Sequence, residues 1–99
     1  MSTVLFRDRF RIGADHPALA GHFPGRPVVP GVALLDRVAA ALEQCQGRSL
    51  VGLPQVKFLQ PLLPGQEAEL IVTRDAERIG FSIVHGSTQI ATGSIEVAV

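Results

Sequence analysis

Several residue types that define large classes of proteins are scarce or missing in this sequence. Its 99 residues include one cysteine, no tryptophan and no tyrosine. The single cysteine, Cys45, cannot form an internal disulfide, so the composition suits a reducing compartment and we expect a cytoplasmic protein. Cys45 also lacks the basic neighbours that would activate a thiol, so we expect it to serve packing.

An excess of charge and long apolar segments are lacking as well. Nine basic and nine acidic side chains give a formal net charge of zero, which argues against nucleic acid as the main partner. The longest apolar stretches fall far short of the roughly 20 residues that a membrane span requires. Charged residues between Arg7 and Arg11 interrupt the N-terminal region before a signal-peptide segment can form. We therefore expect a soluble protein with no membrane association.

Apolar residues, by contrast, are abundant for so short a chain. Hydrophobic residues make up 46% of the sequence and charged residues only 18%. A chain of this size buries only about two thirds of its unfolded surface, so a monomer would leave much of this apolar material uncovered. We expect residues 1–99 to form one domain that associates into a dimer.

Hydrophobic periodicity predicts one strand, one helix and then four more strands. Over residues 3–12 the pattern alternates, with Val4, Phe6, Phe10 and Ile12 on one face and three arginines on the other. The later strands are predicted at about 50–60, 66–75, 79–86 and 88–98. This order is compatible with an α+β fold in which an antiparallel sheet curls around one helix.

The only long helix is predicted from Gly31 to about Gln46, with Gly47 placed to end it. Its apolar stripe is predicted to consist of Val32, Leu35, Val38, Ala39 and Leu42. The first half of the helix is apolar on all sides, so we expect other structure to wrap it. A short helical turn is predicted at Asp15–Leu19, ahead of the helix.

The segment before the helix carries the strongest functional signal. It reads His22-Phe23-Pro24-Gly25-Arg26-Pro27-Val28-Val29-Pro30-Gly31, and Asp36 follows within the helix. Each proline fixes φ and extends the residue before it, so this is a stiff loop that holds its histidine in place. A fixed imidazole and a partly buried carboxyl near a helix N-terminus are the parts of an acid–base site.

Structural explanations of the same residues remain open at this point. A loop of this kind can simply connect a strand to a helix, and Gly31 can be needed only for the turn. Asp36 can be stabilised by the helix dipole or by an arginine such as Arg37 of a neighbouring chain. His16, His22 and His85 match no compact ligand spacing, so we expect no metal site.

The string from His22 to Asp36 resembles the signature of the 3-hydroxyacyl-[acyl carrier protein] dehydratases, which are hotdog-fold enzymes. The shared features are His-Phe-Pro-Gly, a further proline, Pro-Gly, and a carboxylate fourteen positions after the histidine. The segment from Val56 to Gly65 is similar to the strand and turn that follow the central helix in that family. The resemblance implies a single hotdog domain, an antiparallel sheet wrapped around one central helix, that works as a dimer.

The resemblance also implies roles for particular residues. His22 would remove the C2 proton of a (3R)-hydroxyacyl thioester, and Asp36 would deliver a proton to the departing C3 hydroxyl. Pro30 has no N–H, so the first free donors of the helix are those of Gly31 and Val32, and the glycine would polarise the thioester carbonyl. We count Phe23, Pro30 and Val32 with the substrate-binding residues.

The resemblance implies a trans-2-enoyl product, no cofactor, and an acyl carrier protein as partner, with one site built from two subunits. Asp36 stands where many of these enzymes have glutamate, and Ala40 where they usually have glutamine. These differences point to an accessory member of an aryl polyene or other polyketide pathway. The alternatives are a hotdog thioesterase and a non-catalytic acyl-binding subunit paired with a paralogue. A basic surface with Arg26 or the strand arginines could dock the acidic carrier protein.

Overall fold

The structure is a computed structural model that describes residues 2–13 and 28–98. Its elements are β1 Ser2–Arg11, α1 Gly31–Gln46, β2 Leu50–Phe58, β3 Glu67–Asp75, β4 Arg78–His85 and β5 Thr88–Val97. The order of elements predicted from periodicity is confirmed, and each boundary lies within two residues of its prediction. The short helical turn predicted at Asp15–Leu19 lies outside the described residues.

The five strands form one antiparallel sheet in the order β1-β3-β4-β5-β2. The helix lies against one face of this sheet, where its buried side chains join those of the strands in a single core. On β3, for example, Ala68, Leu70 and Val72 are buried in alternation with more exposed residues, as expected for a sheet covered on one face. Every buried residue in the described part of the chain is hydrophobic.

Local chemistry explains both ends of α1. Pro30 is the N-cap, with extended backbone at φ −62° and ψ 145°, so the helix begins at Gly31. Gly47 ends the helix in the left-handed conformation at φ 63°, and its N–H donates to the Glu43 carbonyl at 2.9 Å. Both predicted ends are confirmed. No helix in the described segments is long and apolar enough to cross a membrane.

The predicted apolar stripe of α1 is partly wrong. Val38 and Leu42 are buried as predicted, but Val32 is 63% exposed and Ala39 is only half-buried. The residues that the helix buries are Ala33, Leu34, Val38, Ala41 and Leu42. Because the first half of the helix is apolar all round, periodicity alone could not identify its inner face. Among the described residues of this first half, Ala33 and Leu34 are buried on one side and Val32 is exposed on the other.

The alternation predicted for β1 is interrupted by a β-bulge between Val4 and Phe6. Phe6 and Phe10 lie opposite the buried residues Val72 and Ala68, so both face the core as predicted. Val4 instead lies opposite Thr73 and is 45% exposed. The extra residue in a bulge shifts the alternation, and the predicted placement of Val4 on the inner face is therefore wrong.

Two backbone hydrogen bonds hold the connection between β2 and β3, one to the segment just before α1 and one to the residue after β1. The N–H of Val29 donates to the Leu62 carbonyl at 2.8 Å. The N–H of Gly65 donates to the Ile12 carbonyl at 2.8 Å, with Gly65 at φ 87°. Together these bonds bring the helix N-terminus, the end of β1 and the loop after β2 to one end of the sheet.

Candidate active site

The N-terminus of α1 offers free backbone donors. The Pro30 carbonyl accepts the N–H groups of Ala33 at 3.0 Å and Leu34 at 3.4 Å. No side chain caps the helix, and its first turn holds no acidic residue. No described residue accepts the N–H of Gly31 or of Val32. Such a helix end favours an oxygen that carries negative charge, because donors and helix dipole both point at it.

These donors lie at the edge of an open cleft of about 340 Å³. The residues that line it are Val28, Val29, Pro30, Gly31, Leu34, Phe58, Leu59, Gln60, Pro61 and Leu62. Gln60 alone among them has a polar side chain. An apolar cleft with a few convergent polar groups is the usual form of a small-molecule site, and here the polar groups are backbone N–H groups.

One aromatic residue of the cleft, Phe58, is in direct contact with Gly31. A Cβ built on Gly31 would lie 2.7 Å from Cζ and 3.0 Å from Cε1 of the Phe58 ring. No side chain fits there unless the ring moves, so this contact requires glycine. Phe58 was not among the site residues predicted from the sequence, although it lies in the Val56–Gly65 segment that carries the second part of the resemblance.

The structure places Asp36 on the side of α1 away from its own cleft. Successive residues of an α-helix are about 100° apart, so Asp36 lies roughly opposite Leu34, which lines the cleft. Asp36 is exposed in the single chain, and the partial burial expected for its carboxyl is wrong there. It shares this exposed face with Val32.

The remaining predicted site residues divide into two groups. His22, Phe23 and Arg26 lie outside the described residues. Pro30 and Gly31 line the cleft, while Val32 is not among its lining residues and is 63% exposed.

The arginines of β1 do not form a free basic surface. Arg7 bonds to Glu69 at 3.1 Å, and Arg9 lies within 4 Å of carboxylate oxygens of both Glu67 and Glu69. Arg11 lies 3.7 Å from a carboxylate oxygen of Glu67. These cross-strand ion pairs set the carboxylates of Glu67 and Glu69 against three guanidinium groups, so most of the positive charge of the row is balanced on the strand face itself.

Three other residues have structural contacts away from the cleft. Nδ1 of His85 is hydrogen-bonded to the carbonyl of Glu67 at 2.7 Å. The guanidinium of Arg37 lies 5.1 Å from the centre of the Phe10 ring within the same chain. Cys45 is half-buried near the end of α1, and its Sγ lies 4.0 Å from the Leu42 carbonyl.

One helix against an antiparallel sheet, with an open helix N-terminus over an apolar cleft, defines a hotdog-fold protein. The dehydratase heterocomplex ApeI:P from Xenorhabdus doucetiae contains a chain with the same fold at a TM-score of 0.82 and 23% identity, over 100% of this chain and 99% of that one. A probable thioesterase from Bartonella henselae matches at a TM-score of 0.70 and 15% identity, over 97% of this chain and 90% of that one.

Sequence comparison identifies the family. The model of the ApeI-like family, described as ApeI dehydratase, matches residues 5–94, and the chain belongs to this family. The 3-hydroxyacyl-[acyl-carrier-protein] dehydratase FabZ of Haemophilus influenzae (strain PittEE) is 34% identical over 97 residues. That alignment covers 88% of this chain but 64% of the relative, so the chain spans less than two thirds of the relative's length.

Proposed function

We propose that this chain is an enzyme that dehydrates (3R)-hydroxyacyl thioesters, carried on an acyl carrier protein, to trans-2-enoyl thioesters. The observation that carries the proposal is the open N-terminus of α1, where Gly31, whose N–H no described residue accepts, lines an apolar cleft. Membership of a dehydratase family supports it, as does a FabZ relative named for this activity. Residues 1–99 would form one hotdog domain acting in fatty acid synthesis or in a specialised polyene or polyketide pathway.

The helix N-terminus would act on the thioester carbonyl. When C2 loses its proton, negative charge develops on the carbonyl oxygen, and the Gly31 N–H is available to stabilise it. A donor placed in this way contributes about 2.7–4 kcal/mol to the transition state. The helix dipole adds to the effect because its positive end faces the same oxygen.

The elimination needs one base and one acid. His22 would take the C2 proton, and the electron pair of that C–H bond would form the C2–C3 double bond. As the C3–O bond breaks, Asp36 would give its proton to the departing hydroxyl, which leaves as water. The elimination of water is redox-neutral, so it requires no oxidant or reductant.

The orientation of Asp36 supports a site shared between two chains. Its own cleft is lined by the opposite side of α1, so the Asp36 of one chain would serve the cleft of another. The partner is either a second copy or a paralogous hotdog chain. Among solved structures of this fold, the ApeI:P dehydratase is a heterocomplex, which supports the second arrangement.

The test follows the product formed from a 3-hydroxyacyl thioester on acyl carrier protein. We expect an enoyl thioester, and we expect His22→Ala to lower turnover by at least about 100-fold because a positioned base contributes roughly 10²–10⁴. The melting temperature should stay nearly unchanged, and His85→Ala, a histidine outside the cleft, should retain activity.

Other products would contradict the proposal in distinct ways. Release of the free acid identifies a thioesterase. Binding of the thioester without turnover identifies a non-catalytic acyl-binding subunit. Near-normal turnover by His22→Ala would remove His22 from the mechanism.

A further inference from the structure

Phe58 has an exposure that its position in the sheet does not explain. It is the last residue of β2 and lies opposite Ala91, which is fully buried, so both side chains belong to the inner face of the sheet. Of the other phenylalanines opposite buried inner positions, Phe10 and Phe81 are buried and Phe6 is partly buried against the core. Phe58 remains 53% exposed. Its ring contributes little to the core and instead lies along the cleft.

The ring approaches the helix N-terminus with its tip. The atoms closest to a Cβ built on Gly31 are Cζ, Cε1 and Cε2, at 2.7, 3.0 and 3.2 Å. A carbonyl oxygen bound to the Gly31 N–H lies about 3 Å from that nitrogen. Gly31 and Phe58 line the same cleft, so the acyl group of a thioester held at this N–H would share the cleft with the Phe58 ring.

We propose that Phe58 is a specificity-determining residue that restricts the acyl group at C2 and excludes substrates with a methyl branch there. This inference rests on the proposed function, because it takes the Gly31 N–H as the carbonyl site. An unbranched substrate presents only hydrogen atoms at C2. A methyl group at C2 needs additional space beside a ring that already contacts Gly31.

The experiment compares two pantetheine thioesters, 3-hydroxybutyryl and 2-methyl-3-hydroxybutyryl, each of which has a C2 proton to lose. The wild-type protein should prefer the unbranched thioester by at least tenfold in kcat/KM, since one methyl group in a tight apolar site changes kcat/KM by roughly 10- to 200-fold. Phe58→Ala should reduce this preference at least tenfold, and Phe58→Leu should reduce it less. Val51→Ala, an exposed apolar residue of β2 outside the cleft, should leave it unchanged.

A folding measurement tests the contact itself without reference to activity. Gly31→Ala should lower the melting temperature in the wild-type background, because the new methyl meets the ring at 2.7 Å. In the Phe58→Ala background the same change should lower it little or not at all. Equal effects in the two backgrounds would show that the ring does not occupy the space beside Gly31, and would overturn the proposal.

The outcomes separate this inference from the function on which it rests. If the wild-type protein dehydrates the unbranched thioester and the Phe58 variants keep its preference, the inference is wrong and the function stands. If the wild-type protein, with its partner chain supplied, dehydrates neither thioester, the function fails and the inference fails with it. If Phe58→Ala does not fold, the Phe58→Leu ratio decides.

Discussion

At the start of α1, the neighbouring residues Pro30 and Gly31 shape the candidate site through groups that they lack. Pro30 lacks an N–H and ends the extended segment, so the helix begins at the next residue. Gly31 lacks a Cβ, which leaves room for the Phe58 ring and for a substrate at its N–H. Asp36, by contrast, supplies a carboxyl group on the opposite side of the helix. Under the proposed function, the Asp36 of one chain would therefore serve the cleft of another.

The change Asp36→Asn tests this assignment at a single residue. Asparagine keeps the size of the side chain but loses the transferable proton, so turnover should fall by at least about 100-fold. Because Asp36 is exposed in the single chain, the free energy of unfolding should change by no more than about 0.5 kcal/mol. Turnover and thermal melting are measured on one preparation.

Glu43→Gln is the matched control for this variant, since Glu43 is an exposed acid of the same helix outside the cleft, and it should keep full turnover. A loss of about 3–5 kcal/mol in stability with activity in the folded fraction would instead identify Asp36 as a buried ion-pair partner in the assembly. A folded and fully active Asp36→Asn protein would contradict its catalytic role.

Among the elements, the β3–β4 and β4–β5 hairpins have different residues at the first position of the turn, although the backbone there has nearly the same φ. In the β3–β4 hairpin Asp75 lies opposite Arg78, and the turn between them begins with Ala76 at φ 55°. In the β4–β5 hairpin the equivalent turn residue is Gly86, at φ 59°. A positive φ is strained for alanine and not for glycine, so the first turn stores strain that the second avoids.

Exchanging these turn residues should therefore change stability in opposite directions. Ala76→Gly should raise the free energy of unfolding by about 0.5–1 kcal/mol, the strain relieved less the extra backbone entropy of glycine. Gly86→Ala should lower it by about 1 kcal/mol, and since a Cβ there meets no atom within 4 Å, the loss is purely conformational. Thermal melting measures both, and equal signs would contradict this account of the turns.

For the whole molecule, the uncovered apolar surface and the position of Asp36 both indicate association. Five of the six exposed large hydrophobic residues of the described chain, all except Val4, lie in α1, in β2 or in the connection that follows β2. The same region contains the cleft. A partner chain that covered this side would bury apolar surface and complete the site at the same time.

Subunit mixing tests the shared site. His22→Ala and Asp36→Asn should each be inactive. If the partner is a second copy of this chain, their mixture should regain about a quarter of wild-type turnover, because half of the dimers combine the two variants and each of these has one intact site. Turnover is measured after subunit exchange has been verified, and each variant alone is the control. No recovery would place both residues in one chain's site or remove Asp36 from catalysis. A stable monomer in light scattering at micromolar concentration would exclude a site shared between two copies of this chain.

Features that depend on neighbours in sequence could be predicted from the order of residues alone. Pro30 and Gly47 set the ends of α1 through local backbone chemistry, and two-residue periodicity located the five strands. The motif also drew attention to Pro30 and Gly31, which line the cleft, while their role in binding stays a prediction. In each case the physical cause lies within a few positions of the residue concerned, so no knowledge of distant contacts is needed.

Features that depend on contacts between distant segments could not be predicted in this way. Periodicity could not select the inner face of a helix start that is apolar all round, so Val32 was placed inside and Asp36 was expected to be partly buried. The bulge that moves Val4 to the outer face is a property of the pairing of β1 with β3. The contact of Phe58 with Gly31 exists only because the sheet and the loop after β2 bring the end of that strand against the start of the helix. Tertiary packing decides such contacts. Local sequence preferences allow several helix faces and strand registers with similar energies, and packing against distant segments selects one of them.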